Sequence, residues 1–192
     1  MHQASERRPG PPGANQNEQD LALLARIAAQ DAQAMHELYH LYHRRLARFL
    51  MRLTSRYDLA EEIINDTFWV IWQHAADFRS ASRVSTWIFG IAYRRGLKTL
   101  KRLRPDLMVE ESEAPEQVEE PWLQAELREW LGVALAKLPH EQRVVLELAY
   151  HVGHSCEEIA TIMQCPVNTV KTRMFHARRK LKTLLSGLAG SL

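Results

Sequence analysis

From Asp20 onward the apolar residues of this chain return every three or four positions, a spacing that admits helices packed on helices and little else. Leu21, Leu24 and Ile27 form one stripe, and Leu38, Leu41, Tyr42, Leu46, Phe49 and Leu53 form a second. A third helix over Asp58–Phe78 has two apolar faces: Leu59, Ile63, Val70 and Ile71 on one, Ile64, Phe68 and Trp72 on the other. Two such faces predict an element gripped on both sides within a bundle. Its remaining face reads Glu62, Asn65, Asp66, Trp69, Gln73. A Ser-rich turn, FRSASRVS, leads to a fourth helix over Thr86–Arg104, with Ile88, Ala92, Gly96, Leu100 and Leu103 inward and Arg94, Arg95, Lys98, Lys101 and Arg102 outward. No alternating, strand-like run competes with this pattern.

The helical rhythm breaks once, and there the charge changes sign. Pro105–Pro121 holds seven acids and no base, whereas residues 18–104 carry 14 bases against 9 acids and residues 122–192 carry 9 against 6. The near-neutral total of +2 therefore hides a basic, an acidic and a second basic block. Pro105, Pro115 and Pro121 exclude a helix through the acidic stretch, which reads as an extended, self-repelling linker. The predicted organisation is an all-α chain: a disordered tail over residues 1–17, rich in Pro, Gly, Gln and Asn; a helical domain over 18–104; the linker over 105–121; a second helical domain over 122–187; and a short tail over 188–192. With 46% hydrophobic and 25% charged residues the chain can build a core. No apolar run suits a signal peptide or a membrane span, and two cysteines are too few for a disulfide framework, so a cytoplasmic protein is expected.

In the second domain helices are expected over Leu123–Ala136, His140–Tyr150, Cys156–Met163 and Val167–Leu185. Ser155 and Glu158 have the spacing of a capping box, Gln164-Cys165-Pro166 turns the chain, and Pro166 pre-sets the helix that follows. Val167, Val170, Met174, Ala177, Leu181 and Leu184 would bury that last helix on one side. Two helices joined so tightly form a helix-turn-helix, whose second helix enters the major groove by its N-terminal residues. Asn168, Lys171, Thr172, Phe175 and His176 lie outward near its start as candidate base readers, with Arg173, Arg178, Arg179 and Lys180 as candidate phosphate contacts. The plainer reading of such a helix is a solvated basic face.

The segment LPHEQRVVLELAYHVGHSCEEIATIMQCPVNTVKTRMFHARRKL from Leu138 resembles the promoter-reading domain of bacterial extracytoplasmic-function sigma factors of the sigma-70 family. AEEIINDTFWVIWQ from Ala60 and FRSASRVSTWIFGIAYRR from Phe78 resemble the other domain of that family. The resemblance implies an initiation subunit without catalysis of its own, which binds the beta and beta-prime subunits of core RNA polymerase and promoter DNA. It implies polymerase docking through Glu62, Asn65, Asp66, Trp69 and Gln73, although a solvated face with a partly buried Trp69 is the alternative. Asn65-Asp66 stands where relatives have Gln-Glu, each side chain one methylene shorter. Opening of the minus-ten element falls to Phe78, Arg79, Ser80, Ser82, Trp87, Arg94, Arg95 and Lys98, with Ser85 and Tyr93 as further pocket walls. This region has the basic, polar and aromatic types that single-stranded DNA wants; core packing is the alternative for Trp87 and Phe89. Arg94 replaces an Asn of many relatives, so the base it would meet does not carry over. Minus-thirty-five reading falls to Asn168, Lys171, Thr172, Arg173, Phe175, His176, Arg178 and Arg179.

The linker would thread the polymerase cleft, where Glu110, Glu111, Glu113, Glu116, Glu119 and Glu120 would imitate RNA charge; an ordinary solubilising linker is the alternative. The resemblance also implies a cognate anti-sigma factor, in many members membrane-anchored, which would hold the chain at the inner membrane. No cofactor, metal or small-molecule substrate is expected. His151, His154, Cys156 and Cys165 match no standard zinc spacing, and no Walker, GxGxxG, GxSxG or HExxH motif occurs. The competing reading is a free-standing helix-turn-helix regulator, which would bind duplex DNA tightly without polymerase. An enzyme or scaffold with an appended DNA-binding domain would need a convergent polar pocket.

Overall fold

Helix ends leave backbone amides without partners, and in this chain side chains supply several such partners, one of them from 67 positions away. The computed structural model of the protein describes residues 14–103 and 131–189, all-helical with no strand among them. α1 spans Ala14–Ala28, α2 Ala32–Thr54, α3 Tyr57–His74 and α4 Val84–Leu103. Asp31 caps α2, accepting from the amides of Gln33 and Ala34 while Arg26 closes on its carboxylate at 2.8 Å. Ser55, in the left-handed region at φ 54°, ends α2 with its amide on the Met51 carbonyl.

The tail expected over residues 1–17 ends sooner, because α1 begins at Ala14. Gln16 Nε2 donates to Asp20 Oδ1 at 2.9 Å, and Asn17 Oδ1 accepts the first amide of α4, that of Val84, at 3.0 Å. Of these polar residues Gln16 braces α1 and Asn17 caps α4, whose start at Val84 rather than Thr86 follows from that cap. α3 ends at His74 and passes through a single 3-10 turn, Ala75–Asp77, before Phe78. Leu41 and Leu103, both expected inside, are 45% exposed. At its end α4 projects beyond the helices that cover its middle.

α1 to α4 form a bundle around Ile27, Leu38, Leu46, Phe49, Leu50, Ile63, Ile64, Ile71 and Ile88, each almost wholly removed from water. Gly96 lets α4 approach α2: a Cβ there would stand 2.4 Å from Leu53 Cδ2. The two apolar faces of α3 are both covered, with Val70 and Trp72 only partly so.

In the second half, residues 131–136 are helical (α5), followed by α6 (His140–Leu146), a wider π-helical turn over Glu147–Val152, α7 (Cys156–Met163) and α8 (Val167–Ala189). The helix expected to run from His140 to Tyr150 therefore changes its winding at Glu147. It stops at Gly153, whose φ of 84° suits a residue without Cβ. α8 outlasts the expected Leu185 and takes in the start of the short tail expected over residues 188–192. The linker, the start of the helix expected from Leu123, and the rest of both tails lie outside the described residues.

The two halves share one continuous apolar core, because α7 packs on α4. Phe89, fully buried, meets Phe49 at 5.4 Å and the His154 ring at 5.3 Å between centroids. Arg45 spans the seam, its guanidinium 5.1 Å from the Tyr42 ring centroid and its Nη2 3.5 Å from the Val152 carbonyl.

The bundle also buries one carboxylate. Asp20 and Tyr42 are each 1% exposed, and the Tyr42 hydroxyl donates to Asp20 Oδ2. Burial, followed by that hydrogen bond, pushes the phenol far above its usual range. Tyr42→Phe keeps the ring but strips the buried Asp20 side chain of a hydrogen-bond partner, so it should lower unfolding free energy by about 1–3 kcal/mol. A urea midpoint unchanged from the parent chain would show that the bond contributes nothing.

Candidate nucleic-acid and partner surfaces

The outward face of α3 follows from its two buried ones. Glu62, Asn65, Asp66, Trp69 and Gln73 are all exposed, Trp69 at 60%. Their carboxylates already have basic neighbours across the groove to α4: Arg102 lies 3.3 Å from Glu62, and Arg95 lies 3.8 Å from Asp66. These pairs are exposed and worth at most about 1 kcal/mol each, so a partner's arginine can displace them at small cost. Arg95, assigned from sequence to DNA, thus stands beside the acidic face as well.

The segment from Phe78 to Lys98 divides into exposed and buried residues. Arg79, Ser80, Arg94 and Lys98 are exposed, with Ser80 at φ 53° turning the loop, while Ser82 and Arg95 are half-buried. Trp87 and Phe78 pack together, ring centroids 5.2 Å apart, each partly open to solvent. Arg94 folds back along α4 over Gly90, where a Cβ would stand 3.2 Å from Nη1; burial lowers the pKa of its guanidinium. Ser85, Phe89 and Tyr93 are buried. Burial, and then the nearby Glu141, push the Tyr93 phenol up to about 12. As the halves sit here, Ser85 and Tyr93 cannot wall a pocket for a base, because α7 and the turn after it cover their side of α4.

In the second half the capping box forms as its spacing predicts: Ser155 Oγ accepts the Glu158 amide at 3.2 Å, and Glu158 Oε2 accepts the Ser155 amide at 2.8 Å. Gln164 takes the left-handed conformation, φ 52°, that closes α7 before Pro166 opens α8. Val170, Met174 and Ala177 bury one side of α8. On the other side Asn168, Lys171, Thr172, Phe175, His176, Arg178 and Arg179 are exposed, Phe175 at 61%.

Two arginines of this set have internal partners. Arg173 is ion-paired with Glu141 and lies 3.5 Å from Cys165 Sγ, bracing α8 on α6. Arg178 crosses the Tyr150 ring at 5.6 Å. Beside the row, Gln142, His176, Arg179, Lys180 and Thr183 line an open depression of about 350 Å³ whose three basic or imidazole groups suit a phosphate.

Sequence patterns of single helices could not show the seam between the halves. Thr86 Oγ1 donates to Glu158 Oε1 at 3.1 Å, and Arg83 lies 3.8 Å from the same oxygen. Glu147 is buried, with Arg52 at 3.8 Å and His151 at 3.1 Å on one oxygen, and Arg143 is buried close by. Glu158 therefore does two jobs, capping α7 and holding α4.

The matches to known proteins follow the same division. The Sigma-70 region 2 family matches residues 38–105, and the Sigma-70, region 4 family matches residues 128–181. The chain belongs to the extracytoplasmic-function sigma factors of the sigma-70 family. Such proteins are transcription initiation factors that bind core RNA polymerase. The ECF RNA polymerase sigma factor RpoE of Cereibacter sphaeroides is 34% identical over 143 residues, covering 72% of this chain and 78% of that one. Among solved structures, CnrH in complex with the cytosolic domain of CnrY matches with a TM-score of 0.67 at 25% identity, over 88% of this chain and 98% of that one. The sigma factor RpoE in complex with the anti-sigma factor NepR from Bartonella quintana matches with a TM-score of 0.59 at 27% identity, over 79% of this chain and 96% of that one. No described helix of this sigma factor is long and apolar enough to cross a membrane.

The seam should make the sigma factor acid-sensitive. Burial holds His154 down at about 4, with Arg45 and Arg83 adding to it and Glu158 opposing. An unfolded histidine titrates near 6.5, so the unfolded chain binds the extra proton first. The contribution of His154 is therefore complete above about pH 6.5 and is lost as pH falls toward 4, at most roughly 3 kcal/mol. Urea unfolding at pH 7 and pH 4.5 should show a smaller acid loss in His154→Leu than in the parent chain; equal losses would remove His154 from the account.

Proposed function

We propose that the protein directs core RNA polymerase to promoters by reading the minus-thirty-five element with α8 and opening the minus-ten element with the loop and helix from Phe78 to Lys98. The observation that carries this reading is the two-sidedness of α8: Val170, Met174 and Ala177 are buried, and Asn168, Lys171, Thr172, Phe175 and His176 stand exposed on the opposite face behind a helix-turn-helix bend. Arg178, Arg179 and Lys180 position the duplex through phosphates, and Arg173 serves first to seat α8 on α6. In this reading the Trp69 face of α3 docks on polymerase, an aromatic anchor whose acidic neighbours exchange Arg95 and Arg102 for the partner's basic groups.

The halves must part for this work, since α7 covers the side of α4 that holds Ser85 and Tyr93. Elements centred on positions −10 and −35 lie 25 base pairs apart, about 85 Å of duplex at about 3.4 Å per step. The 27 residues from 104 to 130 span at most about 90 Å fully extended, enough to let each half reach its element. The acidic part of that stretch would follow the path that polymerase keeps for RNA. CnrH and the Bartonella quintana RpoE are each described in complex with another protein, CnrY and the anti-sigma factor NepR. By likeness we assign this chain an anti-sigma partner that holds it inactive, at the inner membrane where that partner is anchored there.

Run-off transcription with purified core polymerase on genomic promoter fragments tests the whole reading: transcripts should appear only when the protein is added. The double variant Asp66→Arg, Trp69→Ala should lose comigration with core polymerase and lose the transcript, while its folded signal is retained. No protein-dependent transcript from any fragment, together with no comigration, would overturn the assignment. Unchanged comigration of the double variant would move the docking face away from α3.

A further inference from the structure

α2 sets His36 and His40 one helical turn apart on its outward side, both exposed. Their Nε2 atoms are 3.0 Å apart, and the rings meet edge to face with centroids 4.2 Å apart. At that separation one ring nitrogen donates to the other, which of them depending on the tautomers. A first-row cation such as zinc sits about 2.0–2.1 Å from an imidazole nitrogen. Two such nitrogens on one ion therefore lie about 2.9 Å apart at a right angle and about 3.3 Å at the tetrahedral angle. The observed separation falls between these limits, so the two nitrogens are already spaced as one ion would require.

The side chains nearest the pair have partners of their own. Tyr39 lies edge-on to His40 and packs on Phe68, ring centroids 4.8 Å apart, while His43 on the next turn is engaged by Glu61 at 3.1 Å. Among the described residues no third His, Cys, Asp or Glu converges on the pair. The histidines that the spacing of the second half brings to attention are unsuited: His154 is buried against Phe89, and His151 is held by Glu147.

We propose that His36 and His40 form a two-imidazole chelate for a late first-row divalent cation, with its remaining coordination positions open to water. Imidazole donors favour Cu²⁺, Ni²⁺ and Zn²⁺, and Cu²⁺ should bind tightest. The site is independent of promoter reading, since it lies on neither α8 nor the Phe78–Lys98 segment.

The test uses the full chain without any histidine tag, because it has nine histidines of its own. Titration calorimetry with Ni²⁺ and Zn²⁺ should give one dominant equivalent, and either His36→Gln or His40→Gln should weaken it by about a hundredfold, because each leaves a single donor. Both positions are exposed, so the variants should keep the parent's helical signal. Electron paramagnetic resonance of the first Cu²⁺ equivalent should show two coupled nitrogens in the parent and one in each variant. Unchanged affinity and an unchanged nitrogen pattern in both variants would overturn the proposal, whatever the transcription assay gives.

Discussion

Helix α4 serves two packing partners at once, and the rest of the molecule is arranged around that double load. One side, through Ile88, Ala92 and Gly96, completes the four-helix bundle; another, through Thr86, Phe89 and Tyr93, seats α7 and the turn that follows it. Its N-terminal amide depends on Asn17, and its outer row of arginines lies against the carboxylates of α3. The segment thus adjoins three surfaces: the acidic face beside Trp69, the loop beginning at Phe78, and the helix-turn-helix.

Much of this was legible because each helix of this chain announces its buried side locally. The stripe through Val170, Met174 and Ala177, the two faces of α3, and the Ser155–Glu158 cap all follow from spacing of three or four residues, and each appears where that spacing puts it. What stayed illegible depends on contacts between residues far apart in the chain. Asn17 reads as part of a Gly- and Pro-rich tail until Val84 is beside it, 67 positions on. Nothing in the spacing around Asp20 shows that Tyr42 covers it. Leu41 reads as core because periodicity says which residues share a face, and only the neighbouring helices decide how wide the covered face is. His36 and His40 are instead a local pair four residues apart, passed over because metal-site spacing rules favour cysteine and histidine clusters of four.

On the promoter-directing reading the chain must both pack and open, and the composition of the seam suits both. Its apolar part, Phe89 against Phe49 and the His154 ring, would by itself favour a permanent interface. Its polar part works against that. Arg143 and Glu147 are charged groups taken from water, and one oxygen of Glu147, the Nε of Arg143 and both ring nitrogens of His154 find no hydrogen-bond partner. Desolvation of such groups cancels much of what burial of the aromatic rings supplies. Replacing them with apolar residues would tighten the closed form. On the promoter-directing reading, that gain would be lost in function, because a chain whose α7 never left α4 could not present Tyr93 and the minus-thirty-five face together across 25 base pairs.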